Sequence, residues 1–178
     1  EGDFLGDIIL SPDGSILVGG YTGSSISGDK TLESYGEQDF WIIKLTEKGQ
    51  YIWDKTYGGT GSEQVYTGLV DKDGNYLFGG VSTSNISGNK TDTSRGDNDG
   101  WLLKTDVDGN IIWDKTLGGD LTDYMQTMAM TSEGDYVLGI ISNSNLSGDK
   151  TDAKRGGDDC WLVKVNMDGD ILCQKTIG

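Results

Sequence analysis

The chain has 178 residues, a formal net charge of −15 and no histidine. That charge speaks against nucleic acid or an anionic membrane as a partner, and no stretch approaches the ~20 apolar residues that a membrane-spanning helix needs. The missing histidine excludes Ser-His-Asp and Cys-His catalysis and the common zinc sites.

In chain order, residues 1–60 read as one unit, 61–120 as a second and 121–178 as a third. Adding 60 to a position carries Trp41 to Trp101 and Trp161, Lys44 to Lys104 and Lys164, and Asp39 to Asp99 and Asp159. A long repeat rich in glycine is the signature of a propeller or a stacked array. Within the second unit, residues 64–70 read as a strand and Asp71-Lys72-Asp73-Gly74 as a turn. Residues 75–81 are apolar on both faces, as in a strand covered on both sides. A polar loop follows over 82–99, then strands over 101–105 and 111–116 joined by a turn at Val107-Asp108-Gly109. Gly118-Gly119 closes the unit. No segment carries helical periodicity.

Four antiparallel strands per unit joined by tight turns make a propeller blade. The predicted fold is therefore all-β, an array of three four-stranded blades with boundaries near Gly59-Thr60 and Gly119-Asp120. Trp41 with Trp53, and Trp101 with Trp113, are expected across a hairpin or near one another, packed on the next blade. With Asp39, Asp99, Asp159 and Trp161 they form the structural signature of the repeat. Known propellers use four to eight blades, so three leave an apolar face bare at each end. A chain opening at Glu1 in mid-pattern reads as a mature product or an excised fragment. The expected partners are further blades of the same protein or a second copy that completes a six-bladed ring. Cys160 and Cys173 are expected about four residues out of register on one hairpin, too far apart for a disulfide.

The strings Ser-Asn-Ile-Ser-Gly-Asn-Lys-Thr (84–91), Asp99-Gly100-Trp101-Leu102-Leu103-Lys104 and Gly109-Asn110-Ile111-Ile112-Trp113-Asp114-Lys115-Thr116-Leu117-Gly118-Gly119 resemble the tandem repeats of large secreted proteins of Bacteroidota exported by the type IX secretion system. The resemblance covers essentially the whole chain. It implies an extracellular or cell-surface propeller protein, in some members adhesive, with no single assigned activity. A weaker likeness, Asp106 through Gly109 to Trp113, is to the tryptophan-docking stretch of quinoprotein-like propellers. It reports blade geometry and carries no quinone cofactor.

The loops offer the candidate sites. Asp92, Asp97 and Asp99 are hard oxygen donors of the kind that hold calcium, although their spacing is not that of an EF-hand. Only Asp39, Asp99 and Asp159 recur, and the competing reading is that each accepts backbone N–H bonds and pins its loop. Gly28, Lys30 and Thr31 echo a phosphate loop, but one residue is extra and no helix follows. Arg95-Gly96-Asp97 spells an integrin-type tripeptide that the other copies lack, and it reads as loop drift. Asn85, Asn89 and Asn145 sit in glycosylation-like triplets. The only arginines, Arg95 and Arg155, occupy equivalent places in neighbouring units, so they build no sialidase-type cluster. The expected function is a non-catalytic extracellular scaffold or adhesion module with no required cofactor. The alternative is a carbohydrate-binding or calcium-dependent binding propeller whose long loops meet a surface glycan or protein, and a remote third is a glycan-active enzyme.

Overall fold

The computed structural model describes residues 2–178, and these form twelve strands and no helix. They make three separate four-stranded antiparallel sheets, each a meander in chain order. Blade 1 comprises β1 (Asp3–Leu10), β2 (Ile16–Thr22), β3 (Asp39–Leu45) and β4 (Tyr51–Tyr57). Blade 2 comprises β5 (Glu63–Val70), β6 (Tyr76–Ser82), β7 (Asp99–Thr105) and β8 (Ile111–Leu117). Blade 3 comprises β9 (Asp123–Met130), β10 (Tyr136–Ser142), β11 (Asp159–Val165) and β12 (Ile171–Ile177). The strands expected for the second unit begin and end within two residues of those observed. The expected unit boundaries lie inside the linkers 58–62 and 118–122.

Local chemistry explains the turns. At the β5–β6 turn Gly74 takes φ 86°, a conformation open to glycine at no steric cost. Asp71 Oδ1 accepts the N–H groups of Asp73 and Asn75, each at 2.9 Å, which closes the turn. The first strand of every blade carries a bulge, at Gly6, Tyr66 and Gln126, which adds twist to the edge. One rim of the array thus holds the tight hairpin turns. The opposite rim holds the long loops and the linkers.

Each blade has a leading face toward the preceding unit and a trailing face toward the next. Phe40 and Ile42 on the trailing face of blade 1 pack with Val65, Phe78, Trp101 and Leu103 on the leading face of blade 2. Leu77, Leu102 and Leu117 on the trailing face of blade 2 meet Met125, Leu138, Trp161 and Val163 of blade 3. Each such buried aliphatic or phenyl side chain contributes ~1.5–3 kcal/mol. All seven residues of β6 and all seven of β7 are buried, as expected for strands covered on both sides. In β3 and β11 burial alternates, because among the described residues one face of each outer blade has no neighbour. Among the described residues the array is open, and its blades do not close a ring.

One detail of the tryptophan packing differs from expectation. Trp101 pairs with Thr116 and Trp113 with Lys104, an odd offset that sends the two rings to opposite faces. Trp101 and Trp161 are fully buried, whereas Trp41, on the bare leading face of blade 1, is only partly so. Cys160 pairs with Ile177 and Cys173 with Lys164. Both thiols are free and exposed, four residues out of register.

Candidate functional site

The long loops are fastened far more tightly than their polar composition suggests. Asp99 Oδ2 accepts the N–H of Arg95 at 2.7 Å and of Gly96 at 3.3 Å. Asp39 does the same for Tyr35 and Gly36, and Asp159 for Arg155. The second oxygen of Asp39 and of Asp99 meets no N–H or O–H donor. In all three repeats that oxygen occupies the place a Cβ would take on the glycine after the last strand: Gly58 for Asp39, Gly118 for Asp99 and Gly178 for Asp159. The glycine Cα–H therefore points at the carboxylate, a weak but recurrent contact. This is why the unit ends in glycine. Burial pushes the Asp39 carboxyl up to about 6, helped by the nearby Glu63. Burial also raises Asp99, and Asp123 adds to it.

Sequence reasoning missed two further fastenings. Lys30, Lys90 and Lys150 are almost wholly buried. Lys90 Nζ donates to Thr116 Oγ1 at 2.7 Å, and Lys150 Nζ donates to Ser142 Oγ and Ser144 O, each at 2.9 Å. Burial lowers the pKa of all three, opposed by nearby carboxylates. The signal was present: Ser-Gly-x-Lys-Thr recurs without drift while the acidic residues around it wander. The second fastening joins each leading-face tryptophan to the last strand. Trp41 Nε1 donates to Asp54 at 2.9 Å and Trp101 Nε1 to Asp114 at 3.0 Å, and Gln174 takes that role for Trp161. The same acceptors hold the N–H of Thr31, Thr91 and Thr151.

The loops also lace the linkers in place. The N–H groups of Thr60, Gly61 and Ser62 donate to the hydroxyls of Ser87, Ser84 and Thr83 at 2.7–3.0 Å. Asp120, Leu121 and Thr122 repeat the pattern with Ser147, Ser144 and Asn143. Asn89 accepts the Gly58 N–H at 2.9 Å and donates to Thr56 O, so the side chain of this glycosylation-like triplet is already engaged.

The three acidic candidates of the second loop do not converge. Asp92 accepts the Thr116 N–H at 2.8 Å and pairs with Arg95 at 3.3 Å, Asp99 faces the linker glycine, and Asp97 is exposed. Among the described residues no three His, Cys, Asp or Glu side chains are arranged to hold a metal. Arg95 also pairs with Asp149 at 3.0 Å, so the guanidinium of the integrin-like triplet is committed within the fold. Between β8 and blade 3 lies a polar cleft of about 510 Å³, lined by Asp92, Arg95, Asp114, Lys115 and Asp170 among others. At the loop tips Ile26, Ile86 and Leu146 are 55%, 63% and 61% exposed at equivalent positions.

No family model matches the chain. Over 170 residues it is 23% identical to part of the Regulatory protein FlaEY of Caulobacter vibrioides, a match covering 91% of this chain and 18% of that protein. A crystal structure of a protein of unknown function from Bacteroides caccae matches with a TM-score of 0.50 and 13% identity, over 98% of this chain and 61% of that one. The chain thus spans less than a fifth of the curated relative and about three fifths of the solved one. At these identities the structural likeness shows the fold alone: a β-propeller-like repeat of four-stranded sheets.

Proposed function

We propose that this chain is a non-catalytic repeat module of a bacterial secreted or surface protein, working as a scaffold that presents its loop rim to a protein or glycan partner. The observation that carries the reading is the row formed by Ile26, Ile86 and Leu146. Three solvent-exposed aliphatic side chains stand at one place on three loops, each loop tied down by a buried lysine and a buried aspartate. Recognition surfaces are commonly loops on a rigid scaffold, and exposed apolar groups at regular spacing suit an extended partner. Export to the cell surface rests on the resemblance to secreted Bacteroidota repeats.

A second reading, saccharide binding, is favoured by the polar cleft beside β8. Its accessible Lys115 and Asp170 suit hydroxyl-rich ligands. A glycan array and a panel of surface-protein ligands, run on the wild type, an Ile26→Ser/Ile86→Ser/Leu146→Ser variant and a Lys115→Ala variant, separate the two. Protein binding lost with the tip variant alone supports the rim. Glycan binding lost with Lys115→Ala alone supports the cleft. Binding that survives both changes would remove both surfaces from consideration.

A further inference from the structure

Phe40, on the trailing face of blade 1, is wholly buried, and its ring centroid lies 4.8 Å from that of Trp101 on blade 2. In the sheet of blade 2, Gly80 stands beside Trp101 and is paired on its other side with Val65. The second junction fills the equivalent space from the opposite side. Gly100 occupies the place of Phe40, while Ile140 stands beside Trp161 and is paired with Met125. A methyl on Gly100 would lie 3.5 Å from Met125 Cβ and 3.6 Å from Ile140 Cδ1. At the first junction the large Phe40 packs on Trp101, whose sheet neighbour Gly80 has its Cβ place taken by Gln64 O of the same sheet; at the second, Gly100 faces Ile140. Close-packed interiors require this matching of volume.

The leading face of blade 1 follows the pattern of blade 2, glycine beside tryptophan, and not that of blade 3. Gly20 stands beside Trp41 and is paired with Leu5. Around them opens an apolar pocket of about 200 Å³, lined by Leu5, Val18, Trp41 and Ile43. The hairpin turn of blade 1 has no neighbour either. Gly109 lies against Lys55 and Tyr57 of the preceding blade, and Gly169 against Trp113 and Lys115, whereas Gly49 has nothing close to its Cβ position. On the trailing face of blade 3 the projecting position is held by Cys160, which is far smaller than phenylalanine.

We propose that the leading face of blade 1 is the receiving half of a blade junction. Its partner is a further four-stranded blade of the same repeat that carries an aromatic side chain in the place of Phe40. The third blade of a second copy, with Cys160 there, is a poor fit. This inference rests on the scaffold reading above, but it concerns the sheet faces and is tested without the loop rim.

The test gives the chain the missing aromatic. Self-association of the full chain is measured by sedimentation velocity, under reducing conditions so that thiols do not cross-link. The proteins are the wild type, Cys160→Phe, Cys160→Phe/Ile43→Lys, and Ile141→Phe as a control for position that adds a ring at the cross-strand neighbour of Cys160. Cys160 is exposed, and circular dichroism confirms that each variant keeps the fold. Burying a phenyl ring predicts association at least ~10-fold tighter for Cys160→Phe than for the wild type. Ile43→Lys should reverse the gain, and Ile141→Phe should not reproduce it. Equal association of wild type and Cys160→Phe, a gain that survives Ile43→Lys, or an equal gain from Ile141→Phe would each overturn the proposal. None of those results bears on the ligand assays of the loop rim.

Discussion

Lys104 Nζ lies 2.9 Å from Asp71 Oδ2, with side chains 5% and 0% exposed, inside the junction of blades 2 and 3. Tyr136 of blade 3 completes the group, 3.0 Å from Lys104 and 3.1 Å from Asp71. Burial works to raise the Asp71 carboxyl, but Lys104 and the Asn75 amides outweigh it and hold it below its usual range. Lys104→Ala strands a buried carboxylate, and such losses cost ~3–5 kcal/mol. Urea unfolding should show a lower midpoint for Lys104→Ala, and Lys104→Ala/Asp71→Ala should recover a substantial part of the loss. A Lys104→Ala midpoint equal to wild type would show the pair to be dispensable.

Asp39 sets a pH dependence of the opposite sign. Its folded pKa of about 6 lies above the ordinary 3.8, so between those values the folded chain holds a proton that the unfolded chain has released. Its stabilising contribution is therefore complete below about pH 4 and is lost as pH rises through 6, a difference on the order of 3 kcal/mol. Asn keeps an acceptor for Tyr35 and Gly36 without the charge. Relative to wild type, Asp39→Asn should gain stability steadily from about pH 4 to pH 7. A difference between the two proteins that stays constant with pH would refute the assignment.

The linker glycines are predicted to be intolerant of a single methyl. A Cβ on Gly118 overlaps Asp99 Oδ1, whereas one on Gly157 meets nothing within 4 Å. Gly118→Ala should lower stability by ~1–3 kcal/mol, the usual cost of overpacking, with Gly157→Ala close to neutral. Thermal melts of the two alanine variants side by side decide the matter.

Calcium is expected to leave the melting temperature unchanged, because Asp92 is turned toward Arg95 and the Thr116 N–H. Asp92→Ala should destabilise the chain by ~1–3 kcal/mol through the loss of these bonds, equally with and without the ion. A rise in melting temperature with millimolar calcium that vanishes in Asp92→Ala would support the metal reading.

Repeat length, strand positions and open ends were legible because a sixty-residue offset and alternating apolar runs leave few other arrangements. The pinning role of Asp39, Asp99 and Asp159 was legible for a related reason: these acids recur while the other loop acids drift. The buried lysines were not. Lysine is ordinarily a surface residue, and Lys30 stood in a string that invited comparison with a phosphate loop. The acceptors Asp54 and Asp114 were hidden by a separation of 13 residues from their tryptophans, a distance bridged only by the hairpin register. The unequal burial of Trp41 and Trp101 depends on what lies beyond the sheet, and no local pattern encodes that.

The alternating sizes at the two junctions also bear on heredity. The units keep a common sixty-residue register although most of their residues differ, so the loss or gain of one whole unit would leave the others in frame. Deleting the middle unit here would press Phe40 against Ile140 and Met125, which already fill the space that Gly100 leaves. Duplicating the middle unit would leave Gly100 facing a second Trp101 without the ring of Phe40, with a void between them. Either product pays in stability, so the order of the blades is protected by the volumes of a few side chains.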